Sequence, residues 1–295
     1  MRRCCDRIDQ GDHMIKKVAA IHDLSGVGRC SLTVILPTLS VMGIQVCPVP
    51  TAILSTHTGG FGDVAMRDLT DQMMPTLEHY KRLGMSFDCV YSGFLASTAQ
   101  VDHCLAFLSA YKDALKVVDP VMADHGKPYK TCTPELRHRM KELVSAADLI
   151  TPNMTEAAML LGEDPSYIPR SHSDVKSMLA RLSALGPDTV VITSVYTGTE
   201  SYNAGYDAHA NKYWKVPFKP ISVAYPGTGD VFASVLTGSL LSGDSLPIAM
   251  SRATDFLEVA IMTTFSYDAD VREGIMLERC LSRLSDDVMS GYELL

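Results

Sequence analysis

The chain alternates short runs of β-branched and apolar residues with longer stretches of helical periodicity. Near-continuous apolar strands that alternate with amphipathic helices are typical of a mostly parallel sheet covered on both faces. The pattern therefore predicts an α/β fold, a three-layer α/β/α sandwich around a mostly parallel central sheet. Strands are predicted at 18–21, 46–53, 87–91, 115–119, 148–151 and 189–193, with an antiparallel hairpin at 202–216. Helices are predicted at 32–42, 64–83, 101–112, 134–146, 173–185, 231–241 and 247–264.

The size of the chain favours a single domain. With 295 residues and 46% hydrophobic content it can bury one large core, and no low-complexity linker divides it. We expect one domain over residues 15–295. A flexible arm without apolar periodicity is expected before it, over residues 1–14.

Charge and hydropathy exclude two classes of partner. The formal net charge of −8 argues against a nucleic-acid surface, because such a surface needs clustered Lys and Arg. No apolar run approaches the length of a membrane span, and the first residues are too polar for a signal peptide. We therefore expect neither a nucleic-acid nor a membrane partner.

The cysteines suggest the compartment. The chain has eight, of which only Cys4 and Cys5 are adjacent, and it contains no C-x-x-C pair. This spacing indicates neither a zinc site nor a disulfide framework. A reduced, cytoplasmic protein is the expectation.

A glycine-rich segment, Pro226-Gly227-Thr228-Gly229-Asp230, directly precedes the helix predicted at 231–241. The two glycines let backbone N–H groups converge on an anion, and the helix adds its positive N-terminal end. Asp230 follows as a proton acceptor. A phosphate cradle beside a base fits transfer of a phosphoryl group from a nucleotide to a hydroxyl. An ordinary glycine-rich helix cap explains the same residues equally well, so the segment alone leaves both interpretations open.

Glycine and polar residues recur just past the predicted strands. In an open α/β sheet, ligands bind outside the carboxyl ends of the strands, so these loops are expected to share one edge. The loops are residues 22–29, 55–62, 92–93, 119–122, 152–156 and 193–194.

Three separated motifs occur in a recognisable order: Asp119-Pro120-Val121-Met122, Thr151-Pro152-Asn153-Met154-Thr155-Glu156 and Gly227-Thr228-Gly229-Asp230. Together they resemble the ribokinase superfamily and, within it, the branch of pyridoxal/pyridoxamine and hydroxymethylpyrimidine kinases, with most similarity to bacterial-type pyridoxamine kinases. The resemblance covers most of the chain, from about residue 18 to residue 264. It implies a ribokinase-like fold, ATP-dependent phosphorylation of a ring-borne hydroxymethyl group with Mg²⁺, and a homodimer; a monovalent cation is left open.

The resemblance assigns the catalytic centre to the glycine-rich segment. Asp230 matches the family's base, which accepts the proton of the substrate hydroxyl as its oxygen attacks the γ-phosphorus. The N–H groups of Gly227, Thr228 and Gly229 match the family's anion hole.

The nucleotide side of the site is assigned in the same way. Asp119 resembles the nucleotide-site aspartate, and Asn153 and Glu156 match an N-x-x-E pattern near magnesium and phosphate. Asp119 and Glu156 are the implied metal ligands, and Thr193 and Ser194 are placed at the nucleotide. From the residues alone, Asn153 and Glu156 also fit the N-cap and N3 positions of a capping box, and Asp119 also fits a simple turn before its proline.

The acceptor side combines two patterns. Asp23 and residues 55–60 align with positions that contact the pyridine ring in pyridoxal kinases, where a serine is usual at position 23 and Thr58 retains its type. Asp23 followed by Ser25-Gly26-Val27-Gly28 is instead similar to the D-x-S-G-G-x-G opening of hydroxymethylpyrimidine kinases. Those enzymes, and some pyridoxal kinases allied to them, often carry Cys in place of Asp230.

A carboxylate at position 23 would accept a hydrogen bond from a protonated ring nitrogen or an exocyclic amine, which favours pyridoxamine. Capping of the next helix by Asp23 is the alternative. His57 and Gly59 are assigned to the acceptor with Ser25 and Thr58, although a lone His is also compatible with a structural role.

These observations predict a cytoplasmic kinase that converts pyridoxamine, pyridoxal or pyridoxine to the 5′-phosphate. Phosphorylation of hydroxymethylpyrimidine in thiamine synthesis is the nearest alternative. A non-catalytic nucleotide or metabolite sensor is a third, because fold alone does not determine function. Asp230 argues against the sensor, since a binding module needs no base.

Overall fold

The computed structural model describes residues 15–198, 200–285 and 291–295, so the arm predicted at 1–14 lies outside the described residues. The strands are β1 (Lys17–Val27), β2 (Gln45–Thr56), β3 (Met66–Asp68), β4 (Cys89–Ser92), β5 (Leu115–Val118), β6 (Ala123–Asp124), β7 (Lys127–Pro128), β8 (Leu149–Ile150), β9 (Thr189–Tyr196), β10 (Ser201–Asp207), β11 (Lys212–Pro217) and β12 (Glu293–Leu294). The α-helices are α1 (Leu32–Val41), α2 (Thr70–Arg82), α3 (Ala99–Ala110), α4 (Pro134–Ser145), α5 (Met154–Leu161), α6 (His172–Ser183), α7 (Thr228–Leu241) and α8 (Leu246–Ser266).

The central sheet has the strand order β12-β11-β10-β9-β8-β5-β4-β1-β2-β3 within the described part of the chain. Strands β2, β1, β4, β5, β8 and β9 pair in parallel, whereas β3 at one edge and β10 to β12 at the other pair antiparallel. Strands β6 and β7 form a separate small hairpin. The carboxyl ends of the six parallel strands therefore meet along one edge.

Helices cover both faces of this sheet. In β1, Ala19 and Ile21 join the apolar cluster packed by α2 to α6, while Val18 and Ala20 join the cluster packed by α1, α7 and α8. This alternation within one strand follows from the period of two in β structure, and a strand that is buried on both faces reads as a continuous apolar run. The predicted three-layer sandwich is confirmed.

The helix predicted at 64–83 is wrong over its first residues. Met66 pairs with Leu54 as part of edge strand β3. The backbone N–H of Thr70 donates to the Asp68 carboxylate at 2.7 Å where α2 begins. Helix α5 was predicted only through the capping box at its start, without a range, and β1 continues six residues past the end of its predicted range, as far as Val27. None of the described helices has the length and apolar character needed to cross a membrane.

Candidate active site

Glycines at the N-terminus of α7 leave its first backbone N–H groups accessible. Gly227 is the N-cap residue with φ +78°, and a Cβ there would lie 2.0 Å from the carbonyl oxygen of Arg29. No neighbour lies within 4 Å of the position that a Cβ would take at Gly229, and that residue is exposed. The hydroxyl of Thr228 donates to the carbonyl of Tyr225 at 3.1 Å, which fixes the turn.

The backbone N–H groups of Gly227, Thr228 and Gly229 have no hydrogen-bond acceptor among the described residues. The first N–H groups of an α-helix have no partner within the helix, and the helix dipole adds positive potential at the same end. This end of α7 can therefore bind an anion such as a phosphate.

Asp230 lies in the first turn of α7, beside these N–H groups. Its side chain is 12% exposed, and its Oδ2 accepts a hydrogen bond from the backbone N–H of Ser31 at 2.8 Å. Burial, reinforced by the negative charge of Asp119 and then of Asp23, raises the pKa of Asp230 to about 8, although the Ser31 hydrogen bond opposes the rise. A carboxylate with a pKa near neutral pH can both accept and release a proton during turnover.

Asp23 lies inside β1, where the pairing with β2 shifts register between His22 and Leu24. Asp23 is 5% exposed, and its carboxylate accepts a hydrogen bond from the Ser25 hydroxyl at 2.7 Å. Burial raises the pKa of Asp23. The alternative that Asp23 caps the next helix is wrong, because the N-cap of α1 is Ser31 and makes no side-chain capping bond.

Asn153 and Glu156 form a capping box at the start of α5. The Asn153 carbonyl oxygen Oδ1 accepts from the Glu156 N–H at 3.0 Å, and Glu156 Oε2 accepts from the Asn153 N–H at 2.9 Å. Glu156 Oε1 also accepts from the N–H of Met122 at 2.9 Å, and the Asn153 amide donates to the carbonyl of Ala123 at 2.8 Å. These contacts tie the loop after β5 to the loop after β8.

Two buried carboxylates meet at this point. Burial raises the pKa of Asp119 to about 7. Burial, together with the charge of Asp119, raises the pKa of Glu156 well above its usual range. Within the described ranges, neither carboxylate is paired with a Lys, Arg or His. Such a pair attracts a divalent cation, because a positive charge would relieve the repulsion between the carboxylates.

Thr193 and Ser194 lie near the end of β9. The N–H of Thr193 donates to the carbonyl of Pro152 at 2.9 Å, which joins β9 to the residue before Asn153. Ser194 is exposed and has φ +55°, and its N–H donates to Asn203 Oδ1 at 2.9 Å. Asn203, which was not singled out in the sequence, holds this loop from β10.

His57 is tied to a distant turn. Its Nε2 lies 2.6 Å from the carbonyl oxygen of Arg272, in a short 3₁₀ turn (Val271–Glu273), and its Nδ1 accepts from the N–H of Gly59 at 3.0 Å. A carbonyl only accepts and an N–H only donates, so in this arrangement Nε2 donates and Nδ1 accepts. Both nitrogens are thus used within the protein. Thr58 and Gly59 themselves are exposed to solvent.

The same 3₁₀ turn holds the loop that leads into α1. The backbone N–H of Arg29 donates to the carbonyl of Glu273 at 3.0 Å, and the Arg29 guanidinium donates to that oxygen at 3.1 Å. The loops after β1 and β2 therefore rest on one segment close to Gly227.

His22 begins the segment 22–29 that the sequence placed at the edge of the sheet, but it was not singled out there. It ends the apolar run of β1, where a buried His looks like any core residue. The structure places its ring under the site, 0% exposed, with Nδ1 3.9 Å from Oδ1 of Asp230.

A family model, a related sequence and two solved structures all match this chain to phosphomethylpyrimidine or pyridoxal kinases. The family model for phosphomethylpyrimidine kinase matches residues 36–273. The pyridoxal kinase PdxY of Leifsonia xyli is 30% identical over 236 residues, which cover 75% of this chain and 80% of that protein. A Bacteroides thetaiotaomicron protein provisionally assigned as a phosphomethylpyrimidine kinase, crystallised with pyridoxal, has a TM-score of 0.90 and 44% identity, covering 96% of this chain and 100% of its own. The pyridoxal kinase of Lactobacillus plantarum has a TM-score of 0.85 and 32% identity, covering 92% and 97%.

Proposed function

Because this chain belongs to the phosphomethylpyrimidine kinase family, in the pyridoxal and hydroxymethylpyrimidine kinase branch of the ribokinase superfamily, we propose that it phosphorylates the 5′-hydroxymethyl group of a vitamin B6 vitamer with ATP. The observation that carries the proposal is the buried carboxylate of Asp230 beside the open N-terminus of α7. Burial raises the pKa of Asp230, so keeping a carboxyl at this position costs stability, which a role as proton acceptor beside a bound phosphate explains.

The residues divide the reaction between them. The N–H groups of Gly227, Thr228 and Gly229 hold oxygens of the γ-phosphoryl group and stabilise the charge that develops on them. Asp230 accepts the proton of the acceptor hydroxyl as its oxygen bonds to the γ-phosphorus, and ADP leaves with the electrons of the broken P–O bond. The proton ends on Asp230. Only the ionised form of Asp230 can accept it, so with a pKa of about 8 a minor fraction of the free protein is reactive at neutral pH.

Asp119 and Glu156 fit a hydrated Mg²⁺ that accompanies ATP. Carboxylate oxygens are the ligands that Mg²⁺ prefers, and this cation commonly keeps several waters and binds through one or two carboxylates plus substrate phosphates. No group of three or more His, Cys, Asp or Glu among the described residues is arranged to hold a metal ion, so the phosphates would complete the shell. When bound, Mg²⁺ supplies positive charge that neutralises the phosphate oxygens.

The acceptor is the less constrained half of the proposal. The relative with 44% identity was crystallised with pyridoxal, which supports a B6 vitamer. A buried carboxylate at position 23 supports pyridoxamine in particular, because a protonated acceptor would give it a charge-assisted hydrogen bond. Ser25, Thr58 and Gly59 complete the acceptor side. His57 holds this loop in place through its hydrogen bonds to Gly59 and Arg272. Hydroxymethylpyrimidine is the second candidate, favoured by the Asp23-x-Ser25-Gly26 opening.

ADP release with pyridoxamine, pyridoxal and hydroxymethylpyrimidine, each with and without Mg²⁺, tests the proposal. We expect magnesium-dependent turnover, with kcat/KM highest for pyridoxamine. A higher kcat/KM for hydroxymethylpyrimidine would replace the proposal with the thiamine reaction. ATP binding without turnover of any acceptor would identify a sensor. Asp230→Asn is the control that separates enzyme activity from a contaminating kinase.

We further propose that the kinase works as a homodimer in the cytoplasm, where ATP is supplied. The family resemblance supports the dimer. Light scattering of the purified protein measures its mass directly, and a mass near 32.1 kDa would reject the dimer.

A further inference from the structure

A histidine lies directly beneath the proposed base. The ring of His22 packs edge-on against Tyr91, with ring centroids 4.4 Å apart. Gly93 provides the room for it, since a Cβ at that position would lie 2.0 Å from His22 Cε1. Strand β1 and Gly93, in the loop after β4, thus place an imidazole at a buried position where an aliphatic side chain would need no hydrogen-bond partner.

Neither ring nitrogen of His22 has a hydrogen-bond partner among the described residues. An unpaired buried polar atom typically costs about 1–3 kcal/mol, so proteins seldom retain one without a use for it. Burial lowers the pKa of His22 to about 3, so the ring stays neutral and offers one N–H donor. The facing acceptor is Oδ1 of Asp230, 3.9 Å from Nδ1.

We propose that His22 is a positioning residue for Asp230. When nucleotide is bound, the Nδ1–H of His22 donates to Oδ1 of the Asp230 carboxylate. A shift of about 1 Å brings the two atoms into hydrogen-bond range. The Ser31 N–H already holds Oδ2, so the second hydrogen bond fixes the plane of the carboxylate. His22 neither gains nor loses a proton in this role, and the proton of the acceptor hydroxyl still passes to Asp230. The inference rests on the proposed function for its kinetic consequence only.

Two substitutions separate positioning from packing. His22→Leu fills the space without a donor, and His22→Asn places an amide nitrogen near the position of Nδ1. We expect kcat to fall about 10- to 100-fold in His22→Leu, with KM for ATP changed less than about twofold, as for loss of one hydrogen bond to a charged group. His22→Asn should recover kcat to within about fivefold of wild type.

His103 in α3 offers a matched control, because its Nδ1 is also buried without a partner among the described residues. His103→Leu should leave kcat unchanged. Thermal melting of every variant shows whether it is folded. Wild-type kcat in a folded His22→Leu, or no recovery in a folded His22→Asn, would overturn the proposal. Each variant is assayed with whichever acceptor the wild type phosphorylates.

A spectroscopic measurement keeps the inference independent of the reaction. Imidazole ¹⁵N spectra of the full chain with a non-hydrolysable ATP analogue report which nitrogen of His22 carries the proton. We expect the Nδ1–H tautomer in wild type and a shifted Nδ1 resonance in Asp230→Asn. An Nε2–H tautomer, or no response to Asp230→Asn, would contradict the hydrogen bond even if the protein proved to have another substrate. Absence of B6 turnover with the expected tautomer would instead reject only the proposed function.

Discussion

Replacement of Asp230 by Asn should stabilise the protein while it abolishes most of the activity. In the unfolded chain this carboxyl ionises near pH 3.8, whereas in the fold its pKa is about 8. Between these values the unfolded state loses the proton and the folded state keeps it, so rising pH destabilises the fold. At about 1.4 kcal/mol per pH unit, the loss at pH 7 is about 4 kcal/mol. The amide of Asn cannot ionise, and its oxygen still accepts the Ser31 N–H.

The same substitution removes the proton acceptor. Turnover of Asp230→Asn should fall by about 10² to 10⁴, the usual contribution of a general base. ATP affinity should change little, because in the proposed site the phosphate is held by backbone N–H groups of residues 227–229, which the substitution leaves in place. The combination of higher stability and lower turnover is typical of a residue retained for function.

Urea unfolding of wild type and Asp230→Asn at about pH 4 and about pH 7 measures the first effect. The free energies of unfolding should nearly agree at the lower pH and differ by up to about 4 kcal/mol at the higher pH. An equal difference at both pH values would reject ionisation as the cause. A coupled ADP assay and an ATP titration on the same preparations measure the second effect. Near-normal turnover would reject Asp230 as the base, and joint loss of turnover and ATP binding would indicate a damaged loop.

Three further substitutions test the surroundings of the base. Gly227→Ala adds a Cβ 2.0 Å from the Arg29 carbonyl at φ +78°, so thermal melting should show a destabilisation of about 2–4 kcal/mol, with a parallel loss of turnover. Glu156→Gln should weaken the magnesium dependence of ATP binding, measured by nucleotide titration with and without Mg²⁺, because one of the two carboxylates is removed. Asp23→Ser should lower kcat/KM for pyridoxamine more than for pyridoxal by about 1–3 kcal/mol, the size of a lost charge-assisted hydrogen bond.

Gly227→Ala has a matched control, and the other two substitutions each have an outcome that would contradict the prediction. Gly243→Ala has a similar backbone, φ +96°, but no atom within 4 Å, so it isolates the conformational cost from the collision and should be milder. Unchanged magnesium dependence in Glu156→Gln would leave Glu156 as a helix cap only. Equal losses for both vitamers in Asp23→Ser would mean that Asp23 only shapes its loop.

The sequence predicted the layers well because periodicity is local. The helix at 134–146 begins at a Thr-Pro pair and ends within one residue of α4, since its cap and apolar face are all present in the segment. By contrast, the helical periodicity of residues 64–83 extends over β3, so the sequence predicted a helix where the strand lies. Met66 becomes a strand residue because Leu54, in the preceding strand β2, offers an antiparallel edge to pair with. Pairing of that kind carries no local signal.

The same distinction separates the site residues. Gly227 and Asp230 could be singled out from one short segment, because the glycine, the helix start and the carboxylate are adjacent in sequence. His22 and Asn203 could not, because the roles proposed for them depend on partners contributed by other elements. His22 faces Asp230 across 208 residues of chain, and Asn203 holds Ser194 only through a bulge in the β9–β10 pairing.

The 3₁₀ turn at Val271–Glu273, which holds the loops after β1 and β2, has a consequence for folding during synthesis. His57 and Arg29 bond to carbonyls that lie 215 and 244 residues later in the chain. A ribosome releases the chain from its N-terminus, so the parallel strands can assemble while these two loops still lack their anchors. Contacts of such high sequence separation form slowly, because a long loop must close before they are made. The proposed acceptor side is thus completed only after residues 272 and 273 emerge, and a nascent chain whose parallel strands have already assembled still lacks it.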